Sequence, residues 1–227
     1  MTLLAQAAGD PRFFRWDWVW SHLDLIAQKV GEHLLLTGIA LGVGLAISIA
    51  LALIGLRFPK TYPPITWVTG LLYTIPSLAL FAFLVPITGF TTLTSEIGLV
   101  SYTLLILVRN IVAGVQGIDP AVHESALGMG YGRRRLLFEI ELPLALPVIL
   151  AGLRIAAVTT IGLVTVTALI GKGGVGYFIL TGLNRFFDTE IVLGSVLSVL
   201  IAVAVDLTLV VLERWLTPWT RQERGAT

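Results

Sequence analysis

Asp119-Pro120-Ala121-Val122-His123-Glu124-Ser125-Ala126-Leu127-Gly128-Met129-Gly130, followed nine residues later by Ile140-Glu141-Leu142-Pro143, lies between two long apolar segments. Its residue types spell a helix, a reversal and a return. Asp119 can cap free backbone amides, and Pro120 loses nothing at the first helical position, where an N–H has no partner. Residues 121–129 then make about two turns. Gly130 and Gly132 permit a sharp reversal. Glu124 sits early in the helix, where a carboxylate favours the positive end of the dipole. Ser125, Ala126 and Gly128 are small, so this helix can enter a groove without side-chain clashes. From Arg133 a second helix runs through Glu139 and Ile140 to Leu142-Pro143 and onward into an apolar run. A polar loop built this way, residues 117–143, is presented to something soluble.

The surroundings of the loop are lipid-like. Of 227 residues, 56% are hydrophobic and 13% charged, with a mean hydropathy of +0.90. A soluble domain carries roughly 25% charged residues, because water rewards surface charge and lipid does not. An integral membrane protein is the class this composition describes. A net charge of +1 supplies no basic field for phosphates, which excludes a nucleic-acid partner. The chain has no cysteine, so disulfides and thiolate metal sites are excluded. Its three histidines (His22, His33 and His123) are scattered, and neither metal-ligand spacing nor a nucleophile–base constellation appears. No metal site and no catalytic residue is expected. Met1 to Ala8 lack a basic start and make a poor secretory signal.

About 20 apolar residues cross the hydrocarbon core as a helix. Residues 34–56, 65–88, 97–118, 144–170 and 191–212 meet that length, which predicts five spans. The second contains Pro76 and Pro86, which a lipid-embedded helix tolerates when neighbours satisfy the freed carbonyls. Lys and Arg are retained on the cytoplasmic side. With the Glu124 loop inward, Arg57, Lys60, Arg133, Arg134, Arg135, Arg214, Arg221 and Arg224 lie inside, against Arg12, Arg15, Lys29, Lys172 and Arg185 outside. The expectation is an outer N-terminus and an inner C-terminus. Domain limits follow: an outer interfacial segment 1–30, a transmembrane unit 31–215 and a cytoplasmic tail 216–227. Within the first, Phe13, Trp16, Trp20 and Leu23 form one apolar stripe at helical spacing, which predicts a helix over 13–30 lying in the interface. Within the first span Gly38, Gly42, Ala46 and Ala50 form a small-residue ridge for close helix packing, inside the subunit or across a dimer.

The spacing Glu124-x-Ala126-x3-Gly130-x9-Ile140-x-Leu142-Pro143 resembles the signature cytoplasmic loop of permease subunits in bacterial binding-protein-dependent ABC importers. Ser125 stands where that family usually has Ala. Arg109-Asn110 with Gly117-Ile118-Asp119-Pro120, and Gly173-Gly174-Val175-Gly176 with Gly182-Leu183-Asn184-Arg185, are similar to the osmoprotectant group that carries glycine betaine, choline and carnitine. The resemblance covers about residues 30–215. It implies an all-α permease fold of the methionine-importer type, in the bacterial cytoplasmic membrane, with a coupling helix that docks on an ATPase. Asp119, Glu124, Ser125, Ala126, Gly130, Ile140, Leu142 and Pro143 are the coupling residues so implied. It further implies ATPase partners that bind ATP and Mg, a second permease copy or paralogue, a separate substrate-binding protein, and no cofactor in this chain.

Arg109, Asn110, Arg154 and Asp206 interrupt the spans. Charges are costly in lipid, so they are expected to face the bundle interior. Each charged residue lies about 10–15 Å from the inner end of its helix. At that shared depth Asp206 can pair with Arg154 or Arg109 and brace an inner gate. Gly171 to Gly176 lacks the preceding strand and spacing of a phosphate loop, and predicts a flexible outer loop. Its aromatics Tyr177, Phe178, Phe186 and Phe187 are read as interfacial anchors in preference to a cation–π cage for a quaternary ammonium.

The function expected is therefore a non-enzymatic permease subunit for a small compatible solute. The alternatives are a secondary carrier or channel subunit, a permease for another small solute such as an amino acid, and a membrane anchor for a cytoplasmic enzyme. No inverted repeat or acidic relay favours the carrier.

Overall fold

In the computed structural model, residues 13–219 are described. Arg12, Arg221, Arg224 and most of the tail therefore lie outside the described residues. The described chain is helical: α1 (Trp16–Ser21), α2 (Leu23–Arg57), α3 (Tyr62–Thr74), α4 (Ser77–Thr88), α5 (Thr92–Gln116), α6 (Pro120–Gly128), α7 (Arg133–Leu136), α8 (Leu142–Val166), α9 (Gly176–Arg185) and α10 (Asp188–Leu216). Four helices are long and apolar enough to cross a membrane, and a bent pair, Pro59–Thr74 with Ser77–Thr88, passes the same test when taken together.

That bent pair is where the sequence reading of residues 65–88 needs correction. The helix breaks at Ile75-Pro76 and the two halves meet at 95°. Proline removes a donor and pushes its predecessor into extended backbone, and Ile75 has φ −65 and ψ 127. Tyr102 of α5 donates its hydroxyl to the Ile75 carbonyl, so the break is satisfied from a neighbouring helix. Pro86 stays inside α4.

α5 is the axis of the bundle. It packs against α2, α3, α4 and α8. Half of its apolar stretch is buried within the chain, against 6% for α10. Ala40 clusters with Leu99, Gly44 faces Thr103, and Ala52 clusters with Ile111. Both numbers rise together, so α2 and α5 run parallel. α3 and α8 run antiparallel to both, and α10, antiparallel to α8, runs parallel to them. Lipid gives apolar side chains no hydrophobic reason to leave it, so seams of this kind depend on close approach. A Cβ at Gly44 would collide with Thr103, and one at Gly152 of α8 would collide with Asn110 of α5.

The ridge that packs inside the subunit is Ala40, Gly44, Ser48 and Ala52. Gly38, Gly42, Ala46 and Ala50 point away from it, and nothing lies within 4 Å of a Cβ placed at Gly38 or Gly42. The N-terminal helix is shorter than expected: α1 ends at Ser21, and residues 23–30 are the first turns of α2. At 35 residues α2 is about 52 Å long, well beyond the ~30 Å hydrocarbon core. The aromatic stripe is exposed as expected, with Trp16, Trp20 and Phe13 all more than 60% accessible.

The glycine loop is packed tightly. Gly174 has φ +50, and a Cβ there would lie 2.5 Å from His33 Cβ. Only glycine allows both the conformation and the approach. Phe178, expected as an anchor, is instead fully buried against Trp18, because the loop lies down on the bundle. Phe186 remains exposed.

Candidate functional site

Local chemistry shapes the loop. The Asp119 carboxylate accepts from the Ala121 amide at 2.8 Å, capping α6 as its position demands. At the other end Tyr131 N–H donates to the Ala126 carbonyl and Gly130 N–H to the Leu127 carbonyl, both at 3.0 Å. These two bonds make a Schellman motif. Gly130 is its left-handed residue, at φ +82. Gly132 is ordinary extended backbone at φ −71, so the reversal belongs to Gly130 alone. The Arg135 guanidinium covers the Tyr131 ring at 4.5 Å and pairs with Glu139 at 2.8 Å. The hydrogen bond that Arg135 donates to Glu139 raises the guanidinium above its ordinary range.

The return helix is not regular. Residues Leu137–Glu141 form a π-helical turn between α7 and α8. Pro143 cannot donate to the Glu139 carbonyl and its ring crowds that group, and the wider turn removes the conflict. Glu141, at the end of this turn, accepts a hydrogen bond from His123 Nε2 at 2.8 Å. This contact ties α6 to the turn that leads into α8, whereas the sequence showed His123 only as one of three scattered histidines. The 18-residue separation across a helical reversal was the signal available.

Around this frame the predicted coupling residues divide. Ala126 is buried against its own subunit, so it does not lie on the surface offered to a groove. Glu124 and Ser125 are exposed, and the Ser125 hydroxyl bonds back to the Ala121 carbonyl. Ile140 and Pro143 are half-buried and Leu142 is exposed. Leu127, Met129 and Phe138 are each about 60–70% exposed and add an apolar face that the motif spacing does not mention.

The intramembrane polar residues also divide. Arg154 donates from Nε to Asp206 Oδ1 at 2.8 Å and from Nη2 to Asp206 Oδ2 at 3.0 Å, a two-pronged pair joining α8 to α10. Glu213, two turns beyond Asp206, stands 3.4 Å from Arg154 Nη1. Asn110 donates to the Ile106 carbonyl and packs over Gly152. Arg109 departs from expectation. One position before Asn110 on α5, it falls outside the α5–α8 seam and is exposed, with no ion-pair partner among the described residues. It lines an open groove of about 440 Å³ with Leu105 of α5 and Trp67, Gly70, Tyr73 and Thr74 of α3.

The aromatics near the glycine loop do not form a cage. Lys29 covers Tyr177 at 4.9 Å, and Arg15 lies 6.0 Å from the Phe187 ring. Among the described residues no group of three metal-ligand side chains occurs.

This architecture is shared with known proteins. The methionine ABC transporter MetNI, in its inward-facing form, contains a chain that superimposes with a TM-score of 0.73 at 16% identity, covering 90% of this chain and all of that one. An amino-acid ABC transporter crystallised with histidines gives 0.73 at 15% identity over 88% of this chain and 98% of that one. Among curated proteins, the carnitine transport permease protein OpuCB of Listeria monocytogenes is 37% identical over 82% of this chain and 86% of its own length. The choline transport system permease protein OpuBB of Bacillus subtilis is 34% identical over 85% and 89%. The osmoprotectant import permease protein OsmW of Salmonella typhimurium is 32% identical over 85% and 92%. The profile for the binding-protein-dependent transport system inner membrane component matches residues 34–222. With a capped loop helix, four helices and a bent pair long and apolar enough to cross a membrane, and these relatives in agreement, the chain belongs to that family of inner membrane components and is a permease subunit of an ABC importer.

Proposed function

We propose that this subunit forms half of the path for a small osmoprotectant of the glycine betaine, carnitine and choline class, and that residues 119–143 receive the stroke of a partner ATPase. The observation behind this reading is α6 itself. It is capped at Asp119, closed at Gly130 and tied by His123 to Glu141, so it moves with α8 as one body. It offers Glu124, Leu127 and Met129 outward, with Phe138 beside them. ATP and Mg belong to the ATPase. The substrate is delivered by a separate binding protein on the opposite side of the membrane.

The basic residues support this orientation. At the α6 end stand Arg57, Lys60, Arg133, Arg134, Arg135 and Arg214; at the other end stand Arg15, Lys29, Lys172 and Arg185. Retention of positive charge then puts α6 in the cytoplasm and the start of α2 outside. The exposed ridge Gly38, Gly42, Ala46 and Ala50 suits a second permease copy or paralogue, since helices in lipid associate where small residues let backbones meet.

The test is reconstitution with the ATPase and binding protein in liposomes. Uptake of labelled glycine betaine is expected to require ATP and the binding protein. Glu124→Ala and Gly130→Val are expected to leave ATP hydrolysis running with uptake lost. Uptake driven by an ion gradient with no ATPase present would instead establish a secondary carrier.

A further inference from the structure

We infer that the groove between α3 and α5 is a station on the substrate path, and that it selects zwitterions, a quaternary ammonium joined to a carboxylate, over a simple quaternary ammonium cation. This rests on the importer reading above and narrows its substrate class.

The groove has two ends of opposite character. At one end is Arg109, seven residues from the C-terminal end of α5, or about 10 Å along the helix. At the other end α3 terminates at Thr74, because Ile75-Pro76 breaks the span there. A helix C-terminus is the negative end of its dipole. Half-helix ends of this kind, exposed at mid-depth by broken spans, favour ions of the opposite sign. Between the two ends stand Trp67 and Tyr73. Aromatic faces attract quaternary ammonium groups and do so more strongly away from water. Tyr73 is held edge-on by Tyr102 at 5.9 Å, the same residue that anchors the break. Antiparallel contacts fix the order: Tyr73 lies against Tyr102, and Gly70 lies beside Leu105. Trp67 therefore stands toward the Arg109 level and Tyr73 toward the break. No Asp or Glu lines the groove, so a bare cation meets an uncompensated arginine there. A zwitterion meets guanidinium with its carboxylate and the aromatic, dipole-negative end with its ammonium.

Two other occupants fit worse. Lipid tails would leave an arginine in hydrocarbon without a counter-charge, which is costly. A second copy would need to bring a carboxylate to Arg109. Of the described carboxylates on the spans, Asp206 and Glu213 are engaged by Arg154, Glu190 faces Arg185 and Glu96 is buried, while the others lie at the far end of the bundle (Asp17, Asp24, Glu32 and Asp188) or on the 119–141 loop.

The chain has no cysteine, so Thr74→Cys introduces a unique thiol at the groove's upper end. In the full complex in nanodiscs, a charged aqueous thiol reagent is expected to label it. Saturating glycine betaine should slow that labelling about tenfold, while choline should need about tenfold more solute, the size of one charge-assisted hydrogen-bond pair. Adding Arg109→Gln should erase the difference between the two solutes, and Arg109→Lys should keep part of it. Oxidative cross-linking of two copies through the thiol would overturn the inference in favour of a subunit interface. Labelling only by a membrane-soluble maleimide would overturn it in favour of lipid. Equal protection by both solutes, or by neither, also overturns it. Uptake by the same preparations separates the two levels: betaine uptake with an unprotected thiol removes the groove assignment alone. No ATP-driven uptake of glycine betaine, carnitine or choline by the unmutated complex removes the osmoprotectant reading on which it rests.

Discussion

Replacing Gly130 by alanine perturbs one backbone conformation and little else. Nothing lies within 4 Å of a Cβ placed there, so the new methyl group meets open space. What remains is the penalty for an L-residue at φ +82, which is roughly 1–2 kcal/mol. Asparagine tolerates the left-handed region better, whereas a β-branched residue tolerates it least. The expected order of disruption is Gly, then Asn, then Ala, then Val. An energy of this size changes the ratio of closed to open loop by a factor of roughly 5–30. The two hydrogen bonds that close α6 are donated by the amides of residues 130 and 131. Hydrogen exchange followed by mass spectrometry reads this directly on the purified subunit. The amide of Tyr131 should exchange about 5–30 times faster in Gly130→Ala, with the amides of α5 unchanged. Unchanged exchange at Tyr131, or an asparagine variant as loose as the valine one, would refute the claim that a left-handed glycine closes the loop.

Three further outcomes are expected. Arg154→Asp and Asp206→Arg should each lower the amount of folded subunit recovered from membranes, and the double variant should recover part of it. Because Glu213 also faces Arg154, adding Glu213→Gln to the double variant should recover more, and no recovery in either would remove the pair as a packing element. Gly98→Ala forces a methyl group into the buried Phe81 ring. Overpacking of this kind costs about 1–3 kcal/mol, so the thermal midpoint in detergent should fall, and Phe81→Leu in the same chain should restore part of the loss. Gly42→Leu should leave that midpoint unchanged while reducing the mass of the assembled complex by light scattering; a lowered midpoint would place the exposed ridge inside the subunit's own packing.

The loop was legible because its signals are local. Asp119 caps within two residues, Pro120 tolerates only a helix start, and Gly130 closes a turn formed by its neighbours. The spans were legible from length and hydropathy alone. What stayed hidden depends on partners far along the chain. Pro76 and Pro86 look alike in one apolar run, yet only Pro76 breaks the span, with Tyr102, 27 residues beyond Ile75, accepting the role of carbonyl partner. Arg109 and Arg154 share residue type and depth. Arg154 is engaged by a carboxylate 52 residues away, and Arg109 is turned to an open groove. Phe178 is buried because three glycines let its loop lie flat, a tertiary consequence that an aromatic residue near a span end does not announce.

The π turn at Leu137–Glu141 has a consequence for length and phase. Such a turn accommodates one residue more than an α turn, so α7 and α8 are joined with a built-in offset. The extra residue is absorbed within the wide turn, so deleting one residue there would restore a regular helix and leave the direction of α6 nearly unchanged. Deleting one residue from the regular stretch of α8 would instead rotate α6 by about 100° around that axis and shift it by about 1.5 Å. The aim of the loop is thus set by residue count along α8, and the π turn is a place where a single-codon deletion leaves that aim in register.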